Sequence, residues 1–336
     1  MQRVSNGGGS GWTRGLVNSF LMRNGLPYYA ANSGYDAEWE KGTIEDMLQN
    51  RDSRIQIFTK RDGDVDYYTA AGGTKDFSPK WIVQGNNETR MTTGFAIKKG
   101  KHYSQVMQNE HHKGVSGSIV FRGTEALLNY MEACVEVKGT VDGTASAYWK
   151  ALRKRAYVDT DFEKTIAATD VAEEAKGDWG AYSQGKLIDA TLYNVRRERR
   201  CELIGEAMRW ADLKRWRACD QMVNTPYIIE GMRYWGSAYE GKLVNEDGKD
   251  LVVVSVADGK GNMSAKESSV YIRPYQISSL NNSVFDGYRF QKAYYLSPLG
   301  QATFRTTASG DQTDLNTSVV YQNPGWPKVA GESATE

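Results

Sequence analysis

Residues 194–216 read NVRRERRCELIGEAMRWADLKRW, and the rest of the chain is best read outward from them. Arg, Glu, Leu, Ala, Met and Lys are strong helix formers, no proline interrupts the run, and only Gly205 weakens it. Two helical pieces hinged near Gly205 are therefore expected. Val195, Leu203, Ala207, Trp210 and Leu213 recur at helical spacing and predict one buried stripe. Glu198/Glu202, Glu206/Arg209 and Asp212/Arg215 stand three or four residues apart, which brings side chains together on a helix, so part of this charge should be paired. Taken alone, such a segment is a salt-bridged amphipathic surface helix.

Neighbouring segments add to it. The run IVFRGTEALLNYMEACVEV, starting at Ile119, places Leu127, Tyr130, Met131 and Cys134 at helical spacing and stops at Gly139. A second helix over 145–156 carries Trp149 and Leu152 on one face, and the pair has the proportions of a tetratricopeptide hairpin. One hairpin cannot bury both of its faces alone. Upstream, a helical run ends at Asn50-Arg51-Asp52, and Arg54 to Thr59 alternates apolar and polar residues, which predicts an extended segment. Asp52 is expected to cap or turn the backbone rather than do chemistry. Residues 60–118 are poorly periodic and read as a loop set. Short strands are expected over 251–257 and 270–272.

The order Arg-Arg-Glu-Arg-Arg, an apolar residue, Glu-Leu, a spacer, then Arg-Trp-x-Asp-Leu-Lys-Arg-Trp resembles the signature of the SusD/RagB family of glycan-binding outer-membrane lipoproteins. Four other segments resemble the same family: 11–40, the NRDSR turn at 50–54, the helix from Ile119, and the closing Tyr294–Leu299 and Gln322–Trp326 sequences. The resemblance implies a mostly α (α+β), SusD-like fold of tetratricopeptide-like helical hairpins with long irregular loops and a few short strands. It implies non-catalytic binding of an oligosaccharide at the cell surface of the outer membrane and delivery to a SusC-like TonB-dependent transporter. A protein-binding scaffold or lid of the transporter complex is the alternative, and a glycoside hydrolase a further one. The chain then reads as the C-terminal part of such a protein, with a flexible lead-in over 1–13 and one domain over 14–330. The family's N-terminal repeats, lipoprotein signal and lipid anchor are not in this sequence.

Composition excludes other classes. Lys+Arg 42 against Asp+Glu 41 leaves a net charge of +1, so no global attraction to nucleic acid or anionic membrane follows. Cys134, Cys201 and Cys219 lack metal-ligand spacing and read as free, buried, small apolar residues. His102, His111 and His112 lack the spacing that places two imidazoles on one helix face, and no cofactor or metal is expected. No nucleophile elbow, phosphate loop, HExxH or Cys-x-x-Cys occurs.

Tyr 20 and Trp 9 against Phe 9 means that most rings carry a polar tip, which suits surfaces that are half apolar and half wet. A sugar site needs a ring face for the C–H surface of the sugar and polar groups for its hydroxyls. Two clusters supply rings: Trp12, Tyr28, Tyr29, Tyr35 and Trp39 near the start, and Tyr234, Trp235 and Tyr239 after the signature. The candidate ligand contacts are Trp12, Tyr28, Tyr35, Trp39, Trp235 and Tyr239, the first cluster being preferred because it lies in loop-like sequence. The signature's own charges, Arg196, Arg197, Glu198, Arg199 and Glu202, are expected to be partly buried ion pairs that fix how helices dock.

Overall fold

A computed structural model describes residues 8–84, 90–109, 115, 117, 119–255, 259–310, 313–329 and 331–335. Among these residues the chain is mostly helical, with two small two-stranded antiparallel sheets, Val65–Tyr68 with Thr74–Asp76 and Tyr182–Ser183 with Lys186–Leu187. Long irregular segments join the helices. No helix among the described residues is long and apolar enough to cross a membrane.

The signature forms two helices, Ala190–Glu202 and Arg209–Arg215. Asp189 caps the first by accepting from the Thr191 and Leu192 amides. The break is where Gly205 and Ala207 both take positive φ, 71° and 62°. The expected stripe holds at Val195, Leu203 and Leu213, which are buried. Ala207 and Trp210 are exposed instead, because the left-handed residues reset the helical phase before the second piece begins.

The helical hairpin is Gly123–Lys138 followed by Gly143–Arg155. Gly139 ends the first helix with φ 69°, and Asp142 caps the second by accepting from the Ala145 amide. Trp149 stacks on Phe162 with ring centroids 4.5 Å apart. These residues, with Leu128, Met131, Leu152, Leu192, Val195 and Leu203, form one apolar cluster. A larger cluster gathers Trp12, Val17, Phe20, Ile44, Met47, Ile55, Phe95, Met232, Tyr234 and Tyr239. Cys201 and Ile204, from the end of the signature helix and just beyond it, belong to that second cluster, so this helix is wedged between the two cores.

Two further expectations change. Arg54 to Thr59 is not extended: Ser53–Phe58 is a helix capped by Asp52, whose carboxylate accepts from the Arg54 amide at 2.9 Å. The alternation misled because Ile57 is exposed, while Ile55 is buried in the core and Phe58 packs against it. Neither 251–257 nor 270–272 forms a strand among the described residues; isolated bridges, Val254 to Met263 and Arg233 to Tyr271, stand in their place. At the first, the Asn262 side chain accepts from the Val253 amide and donates to the Leu251 carbonyl, both at 2.8 Å, filling the ladder positions of a neighbouring strand. The described part of the lead-in is tied down, since the Trp12 amide donates to the Phe95 carbonyl at 2.8 Å. Residues 1–7 lie outside the described residues, as do His111 and His112. The three cysteines are free and buried.

Candidate functional site

The signature's charges build the frame on which the site rests. Arg54 Nη1 reaches Glu198 at 2.7 Å and Glu202 at 2.9 Å, and its Nη2 reaches Asp52 at 2.6 Å. Glu198 also accepts from Trp149 Nε1 at 3.1 Å and faces Arg153 Nε at 3.6 Å. Burial pushes the Glu198 carboxyl up, but Arg54 and Arg153 hold it below the usual carboxylate range. Arg199 pairs with Asp212 at 2.8 Å, joining the two signature helices, and Arg215 pairs with Glu132 of the hairpin at 2.5 Å. Of the expected pairs, Asp212/Arg215 forms at 3.0 Å, whereas Glu206 turns to Lys99 and Arg122 rather than to Arg209.

Two further arginines of this helix organise a cleft. Arg197 pairs with Glu174, and Arg200 with Asp178 at 3.1 Å. Arg200 Nη1 also donates to Ser19 Oγ at 2.6 Å and toward the Gly15 and Gly177 carbonyls. It thereby grips both walls: the Arg14–Ser19 helix and the turn after Val171–Glu174. The walls touch through glycine, for a Cβ on Gly15 would stand 2.4 Å from the Gly177 carbonyl oxygen. Burial raises the Asp178 carboxyl, yet Arg200 and Arg209 together hold it well below the usual range, so it stays charged.

The cleft has a volume of about 140 Å³ and is lined by Arg14, Tyr28, Tyr29, Glu174, Tyr227 and Glu230 among others. A smaller cavity of about 20 Å³ shares Arg14 and Asn18 with it and adds Tyr35, Glu40, Arg51, Arg233 and Tyr271. The tyrosines reach these places through local turn chemistry. Asn32 and Gly34 take φ of 61° and 73°, Ser33 Oγ donates to the Tyr28 carbonyl at 2.8 Å and accepts from the Tyr35 amide, and Asp36 caps the Ala37–Lys41 turn of 3-10 helix. Tyr28, Tyr29, Tyr35 and Trp39 then form a row of edge-to-face rings, with centroids 5.4 to 5.8 Å apart. Tyr29 accepts from the Asp170 amide and donates to Glu174 at 3.0 Å. Arg14 lies 3.8 Å over the Tyr271 ring, whose hydroxyl donates to Glu40 at 2.5 Å. Burial raises Tyr28, and burial with the Glu40 charge raises Tyr35 and Tyr271, so these phenols remain neutral hydrogen-bonding groups.

The structure sorts the six candidate contacts. Tyr28, Tyr35 and Trp39 are half-buried and belong to the ring row beside the cleft. Trp12 and Tyr239 are core residues: Trp12 Nε1 donates to the Phe58 carbonyl, and the Tyr239 hydroxyl accepts from the Ile44 amide at 2.8 Å and contacts Asp62. Trp12 lines a separate cavity of about 300 Å³ with Leu203, Ile204 and Met208, away from the ring row. Trp235 is half-buried, packs on Tyr234 and donates to the Ser264 carbonyl; it lines neither cavity. Sequence reading missed Arg14, Glu40, Arg51, Glu230 and Tyr271, which come together from segments as much as 257 positions apart and carry no local signal. Among the described residues no group of His, Cys, Asp and Glu could hold a metal ion.

A helical scaffold, a clamp of buried ion pairs and a polar, tyrosine-rimmed cleft define a helix-rich protein with few, short strands. The model of the SusD family matches residues 2–326, and the chain belongs to that family. Among solved structures, the SusD-like protein BF3747 from Bacteroides fragilis NCTC 9343 is similar with a TM-score of 0.50 at 16% identity, over 94% of this chain and 47% of that one. BT4246 is similar at TM-score 0.51 and 18% identity, over 94% and 44%, and its selenomethionine form at 0.53 and 17%, over 94% and 46%. This chain therefore spans about half the length of the structures it matches. No curated protein matches it.

Proposed function

We propose that this chain is the ligand-holding part of a non-catalytic, surface-exposed outer-membrane lipoprotein that captures an oligosaccharide and passes it to a SusC-like TonB-dependent transporter. Family membership over residues 2–326 carries this reading. The geometry supports it: the Tyr28–Tyr35–Trp39 row supplies ring edges and faces beside a cleft in which Arg14, Glu40, Tyr29 and Glu230 offer both donors and acceptors. A cleft of about 140 Å³ encloses one sugar ring rather than a whole oligosaccharide, which fits capture of an end or a branch. Residues 14–330 act as the binding unit in this reading.

Titration calorimetry against a panel of oligosaccharides tests it. Binding of at least one glycan, weakened by Tyr35→Ala and Trp39→Ala, is expected. Absence of any glycan binding overturns nutrient capture. Unchanged glycan uptake with lost transporter association in these variants favours the scaffold role instead.

A further inference from the structure

The charges around the cleft do not balance, and the excess lies at one end. In the larger cavity each carboxylate has a cation of its own: Glu173 holds Lys176, Glu174 holds Arg197, and Glu230 holds Arg273 at 2.9 Å. The smaller cavity differs. Among the described residues its one carboxylate, Glu40, faces three guanidinium groups, those of Arg14, Arg51 and Arg233.

Arg14 reaches Glu40 at 3.8 Å and shares Glu230 at 3.4 Å, and its Nε has no hydrogen-bond partner among the described residues. Arg51 is only 2% exposed. Its Nη1 donates to the Val17 and Phe20 carbonyls and its Nη2 to Asn18 Oδ1, while its Nε has no partner among the described residues. The rings of Tyr28 and Tyr35, 5.4 and 5.3 Å from its guanidinium carbon, shield it, but no carboxylate among the described residues pairs with it. Arg233 spends its Nε on the Trp235 carbonyl at 3.1 Å and likewise has no ion pair among the described residues. A buried cation matched only by carbonyl dipoles and ring faces is under-compensated, and an incoming anion would supply the missing charge.

We propose that the Arg14–Arg51–Arg233 end of the cleft receives an anionic group, so that the ligand is an acidic saccharide bearing a carboxylate or a sulfate ester. This rests on the glycan-capture reading and narrows it. Guanidinium groups suit the assignment because they present paired donors to planar or trigonal oxyanions, and Tyr28 and Tyr35 border the place where the sugar ring would lie. Charge-assisted hydrogen bonds, being about twice as strong as neutral ones, should give the acidic ligand a preference of about tenfold over its neutral counterpart.

The test is calorimetry on the full chain with three probes: a galacturonic acid trisaccharide, the same trisaccharide reduced at its carboxyls, and a sulfated disaccharide. An acidic probe binding about tenfold tighter than the reduced one, with the margin shrinking at high salt and lost in Arg233→Gln, supports the proposal. Which acidic probe wins identifies the anion. Equal or tighter binding of the reduced trisaccharide, or an Arg233→Gln variant that keeps the preference, overturns it. Binding of neutral glycans alone defeats only this inference. An empty result with every glycan of the wider panel defeats glycan capture as well. Arg233 is half-buried and holds no ion pair among the described residues, so circular dichroism of the variant is expected to match the parent.

Discussion

Replacing Glu198 by Gln removes the charge at the centre of the clamp while keeping the side-chain shape. Arg54 keeps Asp52 and Glu202, so its loss is partial. Arg153 is worse placed: it is 1% exposed, its other partners are the Asp159 and Asp161 carbonyls and the Thr165 hydroxyl, and Glu198 is its one carboxylate within 4 Å among the described residues. Trp149 Nε1 also loses a charged acceptor. Breaking a buried ion pair by neutralising one partner costs about 3–5 kcal/mol, because the other charge stays buried and uncompensated. At roughly 2 °C per kcal/mol for a chain of this size, the melting midpoint should fall by about 8 °C. Urea unfolding of Glu198→Gln, Arg153→Met and the double variant completes the cycle. The double variant should recover about 1–3 kcal/mol relative to the sum of the singles. A loss below about 1 kcal/mol for Glu198→Gln, or strictly additive effects, would refute the clamp.

Three more outcomes are expected. Gly15→Ala would gain about 1 kcal/mol in helix propensity on an open helix, but the Gly177 carbonyl at 2.4 Å makes the clash decide, and a net loss of about 1–3 kcal/mol should appear as a lower denaturation midpoint. Lys60, buried against Asp66 with Lys101 on the same carboxylate, is pushed down by that burial to about 8. A cation depressed in the folded state penalises folding fully below that value, and the penalty fades as pH rises toward the unfolded value. Between pH 7.5 and 9.5 the parent should therefore gain about 2 kcal/mol relative to Lys60→Met, measured by paired urea titrations. Asp178→Asn frees Arg200 and Arg209 and should cost about 3–5 kcal/mol near neutral pH. Because the native carboxyl is held low, that contribution is present above the unfolded value near 4 and disappears only as acid titrates the folded protein. Parent and variant denaturation curves should converge in strong acid, and a constant gap down to that range would contradict the assignment.

The helical frame was legible because its signals are local. The signature's composition, Gly205, the Gly139 stop and the Asp52 cap each act within a few residues, and each is found where sequence places it. What failed were inferences that needed a partner. Ile55-Gln56-Ile57 alternates like a strand, but a nearby cap and a distant carboxylate pair drawing Arg54 inward settle it as helix. The strand candidate from Leu251 meets the Asn262 amide, which occupies the edge that another strand would need. At the cleft, Tyr28, Tyr35 and Trp39 stood out as rings in a loop. Trp12, equally aromatic and equally close to the chain start, could not be told from them without knowing that Phe95 would come to meet it. The arginines of the site were hidden for the same reason: the unmatched charge of Arg51 is visible only against the carboxylates that do not approach it.

The signature helix contributes Val195 to one apolar cluster and Cys201 to the other, and its arginines and glutamates anchor segments on both sides. Two cores joined by a flexible linker would melt independently. Here neither can open without uncovering the other's wall and stripping buried charges of their partners, so the helix should act as a cooperative bolt. Its central amides should be among the slowest to exchange with solvent. The cleft walls that Arg200 holds should keep their spacing until the whole molecule unfolds, so under the proposed function a ligand would meet a receptacle whose shape is already set.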